Sequence, residues 1–101
     1  MSDATQLVLD DIAEERVRQD LKWGIQHYPD GNNPDAYKRL ADNARAKCDL
    51  AAENKQLMWI DILLEEMYEA FAEKDWPYIR KELVQAAAVI VAWVEDGDSR
   101  S

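Results

Sequence analysis

The sequence predicts an all-α protein, a four-helix bundle forming one domain over residues 1–101. Three observations carry this. Gly and Pro number only three each, whereas Ala, Leu, Glu, Lys and Arg, which enter a helix at little cost, are plentiful. Apolar residues recur at three- and four-residue spacings in four segments. No segment shows the two-residue alternation of a half-buried strand.

The first helix is expected over residues 4–22, with Leu7, Ile12, Ala13 and Val17 as its apolar positions and Thr5 or Asp3 as its cap. The stretch "WGIQHYPDGNNPDAY" follows it. Gly24, Pro29, Gly31 and Pro34 punctuate that stretch, so residues 22–35 are expected to be a loop. A connection of this length in a small domain often carries function. The second helix opens at Pro34 behind an Asn33 cap and ends near Asn54. Its stripe of Tyr37, Leu40, Ala41, Ala44, Cys48 and Ala51 is narrow.

The third helix covers "MWIDILLEEMYEAFAEKD", and its core face is expected to hold Ile60, Leu63, Leu64, Met67 and Phe71. Asp75 then caps the fourth helix, with Trp76 and Pro77 in the first turn. That helix is expected to stop at Gly97, leaving residues 97–101 as a flexible tail. The short break between helices three and four predicts an antiparallel hairpin.

The net charge of −9 argues against a direct nucleic-acid binder and against docking on anionic lipid. The single cysteine, Cys48, permits no internal disulfide and reads as a small core residue. The N-terminal segment lacks the pattern of a signal peptide, and the longest nearly apolar run, about a dozen residues, is too short for a bilayer. A cytoplasmic setting is expected, with no membrane contact.

Acidic residues carry the chemistry. On a helical wheel, Glu66, Glu69 and Glu73 share one side of the third helix with Ile62. Residues 61–75 place Asp61, Glu65, Glu66, Glu69, Glu73 and Asp75 against one cation, Lys74. Like charges at these spacings repel by about 0.2–0.5 kcal/mol per pair even in open solvent. The fourth helix is apolar from residue 83 to 94 except for Gln85, with Glu82 at the edge of the run. A monomer covers such a helix poorly, so it is expected in an oligomer core with Gln85 buried. Pairing the two helices can gather Glu66, Glu69, Glu82 and Gln85. Three carboxylates and an amide oxygen are hard donors suited to Mg²⁺ or Mn²⁺. A second arrangement stays open: solvated acids, with Gln85 bonded across a helix interface.

The segment "LLEEMYEAFAEKDWPYIRKELVQAAAVIVAWVE" resembles the MazG-like branch of the all-α nucleoside triphosphate pyrophosphohydrolases. The signature of that superfamily is Glu-x-x-Glu, a gap, then Glu-x-x-Asp. Glu66-x-x-Glu69 matches the first half, and Glu82-x-x-Gln85 matches the second with Gln85 where Asp is usual. The stretches "ERVRQDLKWGIQHYPDG" and "ARAKCDLAAENKQLMWIDILLEE" extend the likeness over most of the chain, toward small phage and actinobacterial members.

The resemblance implies a MazG-like helical bundle assembling as a homodimer or homotetramer. It implies Mg²⁺, with Mn²⁺ as substitute, held by Glu66, Glu69, Glu82 and Gln85. The implied reaction splits NTP or dNTP into a monophosphate and pyrophosphate, in a bacterial or phage-infected cytoplasm. The catalytic set would be Glu65, Glu66 and Glu69, with Glu65 as a helper base. Gln85 supplies an oxygen without charge. The alternative is therefore a catalytically impaired relative that binds a nucleotide or a protein partner.

Arg18, Lys22, Trp23 and His27 are the candidates for substrate binding. Arg18 and Lys22 suit phosphates, but cations there also suit the helix dipole. Trp23 suits base stacking, but a core or interface position is the more usual place for a tryptophan. In relatives resembling this segment the histidine falls one place later, before the proline, whereas the order here is His27-Tyr28-Pro29.

Overall fold

The computed structural model describes residues 2–101. They form four α-helices: α1 (Asp3–Trp23), α2 (Pro34–Glu53), α3 (Trp59–Ala72) and α4 (Trp76–Arg100). No strand occurs among the described residues. The chain divides into two compact units. One is Gly31–Ile90, and the other joins the residues up to Asp30 with Val91–Ser101.

Caps explain the boundaries of α1 and α2. Ser2, rather than Thr5 or Asp3, caps α1: its Oγ accepts from the Thr5 N–H at 3.1 Å. Gly24 closes α1 at φ 70°, and its N–H donates to Asp20 O at 2.8 Å. Positive φ suits glycine, which has no Cβ to clash. Asn33 caps α2 as expected, its Oδ1 accepting from the Ala36 N–H at 3.1 Å. Asn54 closes that helix, and Lys55 follows in the left-handed region at φ 57°.

Two boundaries differ from expectation. α3 ends at Ala72, because Glu73 is extended at ψ 153°. α4 runs through Gly97 to Arg100. A glycine inside a helix costs about 1 kcal/mol but does not forbid it. Here the last turn gains side-chain bonds from Ser99 Oγ and Arg100 Nε to the Asp96 carbonyl.

In the unit Gly31–Ile90, α2 packs against α3. The buried residues are Ala41, Cys48, Asp61, Ala70, Ile79 and Ala86. The residues before α2 are tied to the end of α3. The Asn33 N–H donates to Phe71 O at 3.0 Å, and Asn32 Nδ2 donates to Ala70 O at 2.6 Å. These donors satisfy carbonyls that a helix end leaves unpaired. Tyr37 meets Phe71 edge-on, with ring centroids 5.3 Å apart.

The expected core face of α3 is corrected. Ile60 and Leu64 are exposed, while Asp61 is buried. Asp61 turns toward α2, where polar partners wait: Lys47 Nζ lies 3.4 Å from Asp61 Oδ1, and Cys48 Sγ donates to Asp61 O at 3.0 Å. Asp61 Oδ2 also accepts from the Met58 N–H at 3.2 Å. Hydrophobic periodicity reports which face is apolar, not which face meets a neighbour.

In the other unit, Val8 and Val91 are buried, and Thr5 Oγ1 donates to Glu95 Oε1 at 3.0 Å. The expected apolar positions Leu7, Ile12 and Val17 are exposed. No described helix is long and apolar enough to cross a membrane.

Candidate metal centre

Glu66 and Glu69 stand one turn apart on α3 and therefore share a face. After Ala72 the chain leaves helical geometry at Glu73. Asp75 O then accepts from the Tyr78 and Ile79 N–H groups, starting α4. This short break returns the chain, so that Glu82 on α4 meets the pair on α3. One carboxylate oxygen from each of Glu66, Glu69 and Glu82 lies within 4.8 Å of the others.

The donor set fits a small divalent cation. Oxygens bound to one Mg²⁺ at about 2.1 Å sit roughly 3–4 Å apart, so small side-chain rotations would close a 4.8 Å spread. All three residues are half-buried. Glu66 Oε2 and Glu82 Oε2 are withdrawn from solvent and meet no hydrogen-bond donor. A buried carboxylate oxygen without a donor is costly, and a cation or a proton relieves that cost.

The electrostatics agree. Burial holds the Glu66 carboxyl above the ordinary glutamate range, and the charges of Glu69, Glu82 and Glu65 add to the effect. Burial also raises Glu82, followed by repulsion from Glu69 and Glu73, against which Lys81 and Arg45 pull downward.

Reading the residues in order did not single out Arg45. Its Nη2 donates to Glu69 Oε1 at 2.7 Å, and its Nε lies 3.6 Å from Glu65 Oε1. A signal existed: Arg45 follows Ala41 by four residues and precedes Cys48 by three, so it borders the side of α2 that carries those two buried residues, while its own side chain stays exposed.

The expected site residues separate into groups. Glu66, Glu69 and Glu82 come together. Glu65, half-buried, pairs with Arg45. Gln85 is exposed, correcting the expectation that it is buried. It lies one turn beyond Glu82 on α4, where a half-exposed helix face leaves its amide in solvent.

Arg18, Lys22 and Trp23 line one open depression at the end of α1, together with Glu15, Gln19 and Gln26. Arg18 Nε donates to Glu15 Oε2 at 2.7 Å. Lys22 Nζ sits 4.9 Å from the Trp23 ring centroid, a cation–π contact. Trp23 is 60% exposed, so it is not a core tryptophan of this chain. Trp76, in the first turn of α4, is 56% exposed. His27 is exposed and does not line that depression. Cys48 is buried as expected, and burial followed by the nearby Glu65 pushes its thiol up to about 11.

Comparison with protein-family models, curated proteins and solved structures found no match to this chain.

Proposed function

We propose that the protein is a Mg²⁺-dependent nucleoside triphosphate pyrophosphohydrolase of the MazG-like type, cleaving NTP or dNTP to NMP and pyrophosphate. The observation that carries this reading is the convergence of Glu66, Glu69 and Glu82, with two buried oxygens lacking any donor. The Glu66-x-x-Glu69 and Glu82-x-x-Gln85 pattern supports it.

Glu66, Glu69 and Glu82 would hold the cation, with the Gln85 amide oxygen as the uncharged fourth donor. A bound Mg²⁺ or Mn²⁺ supplies charge neutralisation at phosphate oxygens and acidifies water. Glu65 acts as a helper base, with Arg45 Nε 3.6 Å from its Oε1. Arg18, Lys22, Trp23 and His27 remain the proposed contacts to the phosphates and the base. The chain acts as a homodimer or homotetramer in the cytoplasm. Exposed Leu83, Val84, Ile90 and Val94 on α4 support self-association, because burying large apolar side chains is favourable.

A second reading has one observation in its favour. Gln85 adds no charge, and it is exposed. That suits an impaired relative that binds nucleotide or a protein without turnover.

The test is pyrophosphate release from canonical and modified nucleoside triphosphates with Mg²⁺ and with Mn²⁺. The parent chain should turn over, and Glu69→Gln should abolish turnover. A silent parent with an active Gln85→Asp would favour the second reading. Silence in both would end the enzyme reading.

A further inference from the structure

Glu69 meets a fixed cation of the protein itself. Arg45 Nη2 donates to Glu69 Oε1 at 2.7 Å, within the short range of charge-assisted bonds. Its Nε reaches toward Glu65 Oε1 at 3.6 Å. The Arg45 side chain is 56% exposed, while those of Glu65 and Glu69 are 23% and 21% exposed. A solvent-exposed guanidinium therefore bonds one largely covered carboxylate, Glu69, and approaches a second, Glu65. Its charge also acts on Glu82, the cluster member contributed by α4. All of these residues belong to the unit Gly31–Ile90.

We infer that Arg45 is a resident counter-ion of the acidic cluster, one that a divalent cation must displace from Glu69 in order to bind. This rests on the metal reading of Glu66, Glu69 and Glu82 and specifies how that site is regulated. Three carboxylates brought together repel one another unless a proton or a positive charge offsets them. When the cation is absent, Arg45 supplies part of that charge. When the cation arrives, Glu69 exchanges partners, and the exposed guanidinium can swing into solvent without breaking the core. Arg45 thus lowers the affinity for metal and adds modestly to the stability of the metal-free chain.

The experiment measures Mn²⁺ binding by calorimetry, and thermal melts with and without Mn²⁺, for the full-length parent, Arg45→Gln, Arg45→Lys and Arg100→Gln. Arg100→Gln removes the same charge from the end of α4 and controls for net charge. Arg45→Gln should bind Mn²⁺ about two- to fivefold more tightly than the parent, the range expected from losing one exposed ion pair. It should melt below the parent without Mn²⁺, and the gap should close at saturating Mn²⁺. Arg45→Lys keeps the charge but lacks the guanidinium fork, so its affinity should fall between the two.

If the parent binds Mn²⁺ and Arg45→Gln binds no more tightly than the parent or than Arg100→Gln, the counter-ion role is overturned while the metal site stands. If neither the parent nor Arg45→Gln binds Mn²⁺, both readings fall. Should Arg45→Gln fail to fold, Arg45→Lys decides, and an affinity no tighter than the parent's overturns the role.

Discussion

Glu66 on α3 and Glu82 on α4 each keep their Oε2 away from solvent with no donor to meet it, and the two carboxylates converge with that of Glu69. Two half-buried acids facing each other form a strained pair. Whatever neutralises them, a proton or a cation, stabilises the fold. The first prediction follows directly. Glu66→Gln should raise the melting temperature of the metal-free protein by the equivalent of about 1 kcal/mol, because an uncharged amide replaces an orphaned carboxylate. The same variant should lose the stabilisation that millimolar Mg²⁺ or Mn²⁺ confers on the parent. Melts with and without metal check both halves.

The pH dependence has a definite sign. Glu66 and Glu82 have folded-state pKa values raised above the ordinary 4.5. The folded state therefore holds more protons than the unfolded state just above that value, and stability falls as pH rises through the window. Metal-free parent protein should lose stability as pH rises above about 4.5 relative to a Glu66→Gln/Glu82→Gln variant, whose profile should be flatter there. Denaturant midpoints taken at successive pH values would show the difference.

Asn33 closes the start of α2 with its side chain and ties to α3 through its N–H. Asn33→Ala removes only the cap, which costs about 1 kcal/mol. For a chain of this size that should lower the melting temperature by about 4–8 °C. A larger loss would mean that the segment leading into α2 had also come away from α3.

Cys48 should be unreactive in the folded protein. It is buried, its Sγ donates to Asp61 O, and its thiol is pushed up to about 11. The thiolate is the reactive form, so little of it exists at neutral pH. Labelling with a thiol-specific disulfide reagent should be slow natively and become fast on unfolding. Fast native labelling would show that α2 and α3 separate readily.

Gln85→Asp returns a charge to the fourth position of the acidic pattern. Under the proposed function it should tighten Mn²⁺ binding by about tenfold, since charged oxygens bind hard cations better than amide oxygens. It should also destabilise the metal-free chain slightly, by adding a like charge one turn from Glu82. Calorimetry and metal-free melts test the two effects separately.

Much of the fold was legible from local rules. The number and order of helices follow from periodicity and from the scarcity of Gly and Pro. The Asn33 cap and the Asn54 end follow from side chains that bond their own backbone. The meeting of Glu66, Glu69 and Glu82 was legible because helical spacing and a very short break leave the chain few ways to return. By contrast, Ser2 took the cap of α1, and α4 continued past Gly97, because neighbouring side chains decide such ends as much as propensity does.

The sequence by itself determined what repeats locally: four helices, the Asn33 cap of α2, and the Glu66–Glu69 pair on α3. Only the tertiary structure decided which face of α3 meets α2, and therefore that Asp61 is buried while Ile60 and Leu64 are exposed. Only it placed Arg45 on Glu69 and left Gln85 in solvent. The physical reason is one of range. Caps and periodicity act within a turn or two along the chain, whereas pairing of charges and covering of faces depend on residues that are distant in sequence and brought near by packing.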